Sequence, residues 1–436
     1  MADLLAIGAS GLRAYQTALT TTSENIANAG TAGYARRTTQ MSEVAGYNGV
    51  TVRATNRVAD ALRATDVRTA GAELSRTEGG IGWLERLESA LGTGQLSKRI
   101  GGFFDAATQV AADPTAAAPR AVMLEAARSA AQSFTATGAA LADIEADLDA
   151  AAAGDTQTLT GLAKGLVQVN DGLRCAADGS AAQARLLDQR DSILEQMSGL
   201  ADVAVSFDPA GGASVRLGAA GGPVLVDVAG AARVDAARNG EGAMVFSVSR
   251  NGEAQVAPLS GGSLAGIADG AGRTAAARTE LNALAADFAR GVNELQAEGR
   301  DAAGNPGAPM FAAGGSPAEL SVVLADGSGI AAALAGEGTR GNGAIARLGA
   351  LRTTGNVEGK LNGIAAANGA ALAARRTVAD AQTAIKDGAV AAREAVSGVN
   401  LDEEAVDLIR FQQAYQASSR VVQVAREILQ SILAIN

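Results

Sequence analysis

The chain is predicted to be mainly α-helical, with a small β domain inserted into it and its two ends paired as a coiled coil. Three observations carry this. Leu5, Gly8, Leu12, Tyr15, Leu19, Thr22 and Ile26 follow one another at alternating steps of three and four, and so do Leu408, Phe411, Tyr415, Ser418, Val422, Ala425, Leu429 and Ile432. That alternation averages 3.5 residues, the repeat that keeps one helix stripe on a partner over many turns. Second, aromatics are only 3% of 436 residues, against 54 glycines and many alanine-rich stretches, which favours long, closely packed helices. Third, apolar and polar residues alternate in one region alone, about 202–258.

The first helix is expected from Asp3 to about Asn28, ended by Gly30 and Gly33. Tyr34 to Val52 reads as short extended pieces around Gly46 and Asn48-Gly49. A long helix follows from near Arg57 to about Leu91, interrupted at Gly79-Gly80. Further helices are expected at Leu96–Ala112, Pro119–Ala152, Thr156–Cys175 and Ala182–Leu200, with a gap at Ala150–Asp155. Then Val203, Val205 and Phe207 alternate, as do Val215 and Leu217, and Val224 and Val226; glycine pairs and Asn251-Gly252 mark the turns of an antiparallel sheet. Helix resumes from about Thr274 to Glu298, Leu320–Leu324 is one more strand, and the remainder from about Asn362 is helical, broken at Ser397–Asn400.

The last helix has a well-formed start. Asn400 is a good N-cap, Glu403 sits where it can reach back to the cap amide, and Asp402, Glu403 and Glu404 meet the positive end of the dipole. Val421, Ile428 and Ile435 widen its apolar stripe, so it is expected to touch more than one neighbour. A lone pair of such Ala/Ser/Gln-rich helices buries little apolar area for the backbone it must order, so neighbouring subunits are expected to supply the rest.

Composition narrows the function classes. With 36 basic and 46 acidic residues, a net charge of −10 and no basic stripe, nucleic acid is not the expected partner. Histidine is absent and Cys175 stands alone, which removes the usual zinc sites, most nucleophile–base pairs and every intramolecular disulfide. No catalytic, cofactor or metal residue is therefore assigned. Glu403 and Glu404, as adjacent helix residues, point about 100° apart and do not read as a catalytic pair. Cys175 reads as a small buried hydrophobe. The N-terminus has an acid where a secretory signal needs a positive segment, and no apolar run is long enough to span a membrane.

Some of these residues carry a likeness. Ser23 to Tyr34, with Asn25, Ala27, Asn28, Thr31, Gly33 and Tyr34, resembles the Ala-Asn-x-x-Thr-x-Gly-Tyr/Phe signature of bacterial flagellar axial proteins, which include rod, hook and hook-associated proteins. Ser397 to Ser418, with Asn400, Leu401, Asp402, Glu403, Gln412 and Gln413, resembles the C-terminal signature of the hook-associated protein 1 family. Leu186 to Asp191 and Val292 to Leu295, followed by Gly304-Asn305-Pro306-Gly307, agree. By itself Leu187 to Asp191 reads as a solvated helix face, and Gly304 to Gly307 as a surface turn. The chain departs from the pattern at Ala35-Arg36-Arg37, where Ser-Arg-Gln is commoner, and its middle is short.

The resemblance implies an inner coiled-coil domain (1–45 with 398–436), a mainly helical middle domain (46–200 with 260–397) and an outward-facing β domain (201–259). It implies a structural adaptor joining hook to filament at the hook–filament junction, outside the cell. It also implies self-assembly in a helical or ring-like layer, with hook protein and hook-associated protein 3 as neighbours. Export would run through the flagellar type III route without a cleaved signal, after an export chaperone grips the C-terminal helix. The expected subunit-interface residues are Leu5, Leu12, Tyr15, Leu19, Ile26, Leu408, Phe411, Tyr415, Val422, Leu429 and Ile432. The rival readings are another axial protein (hook-associated protein 3 or hook protein) and a flagellar peptidoglycan hydrolase.

Overall fold

A computed structural model describes residues 2–31, 33–44, 49–93 and 95–433. The first helix, α1 (Ala2–Asn28), leads into a hairpin of β1 (Arg37–Val44) and β2 (Gly49–Arg57), antiparallel with a bulge between Gln40 and Met41. Residues 45–48, where the sequence places the turn, lie outside the described ones. The helices α2 (Ala61–Thr93), α3 (Leu96–Ala112), α4 (Ala117–Cys175) and α5 (Ala181–Leu200) follow.

Two antiparallel sheets come next. The first has the order β3-β4-β5-β6 (Val203–Phe207, Ala213–Leu217, Val224–Asp227, Gly230–Ala231), and the second β7-β8-β9 (Arg233–Arg238, Met244–Arg250, Glu253–Val256). Then α6 (Gly262–Glu298) leads to four short strands: β10 (Gly299–Arg300), β11 (Phe311–Ala313), β12 (Leu320–Val322) and β13 (Ala333–Leu334). The chain closes with α7 (Gly343–Gly355), α8 (Val357–Ser397) and α9 (Leu401–Leu433).

Two expected breaks are absent, and one helix begins earlier than expected. α2 runs through Gly79-Gly80, and α6 starts well before Thr274 and runs through Gly266 and Gly270. These glycines let two helices approach. A Cβ on Gly266 would stand 2.7 Å from the Arg76 carbonyl oxygen, and one on Gly270 would stand 2.8 Å from the Trp83 side chain. α4 also continues through Ala150–Asp155, where Thr156 folds its hydroxyl back on the Ala152 carbonyl at 2.8 Å and Ala152 is buried. At 1.5 Å per residue this 59-residue helix is roughly 90 Å long. Cys175 is exposed, contrary to expectation, because it is the last residue of α4, beyond the packed turn that holds Leu173.

The scarce aromatics are concentrated where α3, α4, α6 and β11 meet. Phe103 stacks edge-on against Phe104 and Phe288 at 5.4 Å, Phe134 lies 5.8 Å from Phe288, and Phe311 lies 5.2 Å from Phe288. Val215, Leu217, Leu225, Val226, Val234, Phe246 and Val248 of the two sheets belong to the same continuous core as the helices. The strands therefore lean along the helical body rather than standing apart from it.

Candidate functional site

Where α1 ends, four segments of the chain converge. Asn28 donates through Nδ2 to the Glu24 carbonyl at 2.8 Å, and the amides of Thr31 and Tyr34 close successive turns onto Asn28 and Thr31. Gly33 has φ +76°, in the left-handed region that favours glycine. The chain then runs extended: the Arg36 amide donates to the Ser397 carbonyl at the end of α8, and the Val58 amide donates to the Arg36 carbonyl, both at 2.8 Å. The turn signature thus pins α1, the hairpin and the α8–α9 junction together.

Asn25, 1% exposed, is the hub. Its Oδ1 accepts from the Arg37 amide at 3.0 Å and the Tyr34 hydroxyl at 2.9 Å. Its Nδ2 donates to the Arg37 carbonyl at 2.8 Å and to Glu404 Oε2 at 3.0 Å. Every polar valence of this amide is used, so no other side chain substitutes for it.

Around the hub lies a chain of ion pairs. Arg36 reaches Glu404 Oε1 at 2.7 Å and Glu403 at 3.0 Å, tying the hairpin's entry to the first turn of α9. Arg37 bridges Glu24 of α1 at 2.9 Å and Asp188 of α5 at 2.6 Å, and its guanidinium also lies 5.1 Å from the Tyr34 ring centre. Arg57 joins Asp188 at 2.6 Å to Asp191 at 2.7 Å, and Arg190 pairs with Asp191 at 2.7 Å while donating to the Gly211 carbonyl of the first sheet. Buried charges on this scale hold a geometry, because removing one member strands another. Burial, above the opposing pull of Arg37, pushes the Tyr34 hydroxyl up to about 12.

Other motif residues act as caps or face outward. Asn400 accepts the amides of Asp402 and Glu403 at 3.0 and 3.4 Å, as expected of an N-cap. Glu403 turns to Arg36 instead of back to the cap. Ala27, Thr31, Leu401, Asp402, Gln412 and Gln413 are exposed.

α1 and α9 pack along each other within the one chain, through the small residues of the expected stripes and their flank. The buried residues of α1 are Gly8, Gly11, Ala14, Ala18, Thr21, Thr22 and Asn25; Leu5, Leu12, Tyr15 and Leu19 are half-buried beside them and Ile26 is exposed. Glycine sets the approach, since a Cβ on Gly8 would lie 2.6 Å from Val422 Cγ2 and one on Gly11 2.7 Å from Ser418 Oγ. On α9, Leu408, Phe411 and Val422 are half-buried, Ala425 is buried, and Tyr415 and Leu429 are exposed. The Ile432 side chain and Ile435 lie outside the described residues. Val406 (67% exposed), Ile409 (56%) and Val424 (52%) have no cover.

Sequence reasoning assigns no ion-pair role to several residues of the joint: Glu24, Arg36, Arg37, Arg57, Asp188, Asp191 and Glu404. Leu187 to Asp191, read alone as a solvated face, supplies two half-buried carboxylates. The available signals were the Arg36-Arg37 pair directly after the turn and the alternating charges Asp188, Arg190 and Asp191 beside Leu186 and Leu187.

Residues 84–311 match the helical domain of the flagellar hook-associated protein FlgK. That is more than half of the chain. The chain belongs to the flagellar hook-associated protein FlgK family. The ends of this FlgK-family chain match shared axial modules: residues 5–34 the flagella basal body rod protein, and 393–435 the C-terminal part of the flagellar basal body rod FlgEFG proteins. It is 24% identical to flagellar hook-associated protein 1 of Bacillus subtilis, over 97% of this chain and 96% of that protein. It is 28% identical to the protein of that name from Escherichia coli, over 73% of this chain and 61% of the longer relative. The flagellar hook junction protein FlgK from Burkholderia pseudomallei shares its fold, with a TM-score of 0.51 and 24% identity over 57% of this chain and 46% of that one. In this FlgK-family chain the two axial modules are the two arms of the joint: one brings Asn25 and Tyr34, the other Glu403 and Glu404.

Proposed function

We propose that the chain is a structural adaptor of the bacterial flagellum, placed between hook and filament and required for filament assembly. The observation that carries this reading is the exposed apolar face of α9. Val406, Ile409, Val424 and Leu429 stand in solvent on a 33-residue helix that α1 covers on one side only. Exposed apolar surface of that kind marks an interaction site. A subunit stacked beside its copies buries it.

In this reading the seam residues Leu5, Leu12, Tyr15, Leu19, Ile26, Leu408, Phe411, Tyr415, Val422 and Leu429 line contacts between subunits as well as within one. Hook protein and hook-associated protein 3 are the neighbours below and above. The chain travels through the flagellar export route, with a chaperone on α9 beforehand. The role is mechanical rather than catalytic: the buried Glu404 and the nearby Asp188 and Asp191 all face arginines. The joint transmits load from the terminal pair to the middle domain through charge-assisted bonds that resist both shear and separation.

Deletion of the gene tests the reading. It should leave hooks without filaments and filament subunits in the medium. Filaments of normal length on the deletion strain would refute it, and carboxylate-dependent release of fragments from purified cell wall would favour a hydrolase.

A further inference from the structure

A cavity of about 270 Å³ lies beside the joint, between the start of α2, α5, the end of α8 and Phe207 of the first sheet. Four arginines line it: Arg57, Arg68, Arg190 and Arg393. Three are committed. Arg57 is held by Asp188 and Asp191, Arg190 by Asp191 and the Gly211 carbonyl, and Arg393 by Glu195 at 2.9 Å. Asp60, also in the wall, accepts the amides of Leu62 and Arg63 on Oδ1 at the start of α2. Arg68 is different. It is 7% exposed, its one hydrogen bond is to Thr65 Oγ1 at 2.8 Å, and among the described residues no carboxylate reaches its guanidinium.

A desolvated cation without a counter-ion is costly, and natural chains rarely keep one with nothing to pair it. Burial pulls the Arg68 pKa below its ordinary value, and Asp191 and Glu195, which share the cavity wall, offset this only in part. Local charge balance therefore lacks one negative charge, and it lacks it beside an open volume. That volume exceeds several waters, at roughly 30 Å³ each. The guanidinium fork matches two oxygens of one planar or tetrahedral anion.

We propose that this cavity binds a small oxyanion, of the phosphate, sulfate or short-carboxylate class, gripped by Arg68. The anion completes the charge balance at the root of α2 and α5, next to the ion-pair chain of the joint.

The test is calorimetric titration of the full chain in chloride buffer at constant ionic strength, with inorganic phosphate, sulfate and acetate as separate probes. Saturable binding of at least one is expected, weakened about tenfold or more in Arg68→Met. Binding of phosphate and sulfate alone identifies a tetrahedral oxyanion, and binding of acetate a carboxylate. Arg68→Lys, which keeps a charge but has no fork, should weaken binding several-fold and provides the comparison if the methionine variant does not fold. Absence of saturable binding for all three probes, or equal binding in the wild type and in the variant compared, overturns the proposal.

Discussion

Replacing Asn25 by alanine should release α9 from the rest of the molecule while leaving the helical body intact. The substitution removes four hydrogen bonds at once. It strands the buried Arg37 amide and carbonyl, and takes one of the two donors from Glu404, which is 2% exposed. Two buried backbone groups left unpaired, at about 1–3 kcal/mol each, together with the weakened carboxylate, come to about 3–4 kcal/mol. The Phe103–Phe288 core lies elsewhere, so the cost falls on local opening of the joint. Hydrogen exchange read by mass spectrometry should show amides at the end of α1 and the start of α9 exchanging about two to three orders of magnitude faster. Amides of α3 and α4 should keep their wild-type rates. Ile26→Ala, on the exposed neighbouring position, serves as control and should change little. Unchanged exchange in the first turns of α9, or equal acceleration throughout α3 and α4, would show that Asn25 is not the hub.

Gly8→Val pushes a branched side chain into Val422 and the Ser418 carbonyl, and should cost the α1–α9 contact about 1–3 kcal/mol, seen as faster proteolysis of α9 with an unchanged melt of the middle. Tyr415→Asp, at a position 37% exposed in the single chain, should leave its thermal melt as it is and abolish assembly on hooks; a lowered melt would place Tyr415 inside the subunit. Tyr34 has a folded pKa raised from 10.0 to about 12, so its contribution is fully present below pH 10 and is lost as pH rises through 12. Tyr34→Phe should remove that alkaline loosening, and spectroscopic titration should find one tyrosine ionising late. Asp269 joins α2 and α8 through Arg76 at 3.1 Å and Arg375 at 2.6 Å; burial pushes its pKa up, but these bonds override it and hold the carboxyl below its usual range. Its contribution is therefore present above the ordinary aspartate pKa and lost as pH falls through the depressed one, so Asp269→Asn should flatten the acid limb of the stability profile.

Helix starts and stops were legible where local chemistry decides them. Asn400 caps α9, Gly33 turns the chain after α1, and α3 has the bounds its punctuation gives. Glycine was misread wherever its lack of a side chain serves a neighbour rather than its own backbone. Gly266 and Gly270 admit α2 against α6, and Gly11, outside the expected stripe, admits Ser418, facts that reside in the partner helix and not in the local pattern. The leucine stripe was visible because large apolar residues dominate periodicity. The stripe that packs within the chain is built from Gly, Ala and Thr, which carry little hydropathy signal. The joint was harder still: Asp188 looks solvated until Arg37 and Arg57, more than a hundred residues earlier, close on it. The repeats of the two ends said that α1 and α9 meet, but nothing in the spacing said that Asp188 and Asp191 of α5 close on the same place.

Electron cryotomography of cells whose chain carries an electron-dense label at the exposed Val228 turn of the first sheet tests whether this chain is a fixed part of the structure between hook and filament. One narrow band of label per flagellum is expected, where the hook ends and the filament begins. Label spread along the filament, or confined to the cell envelope, would contradict it.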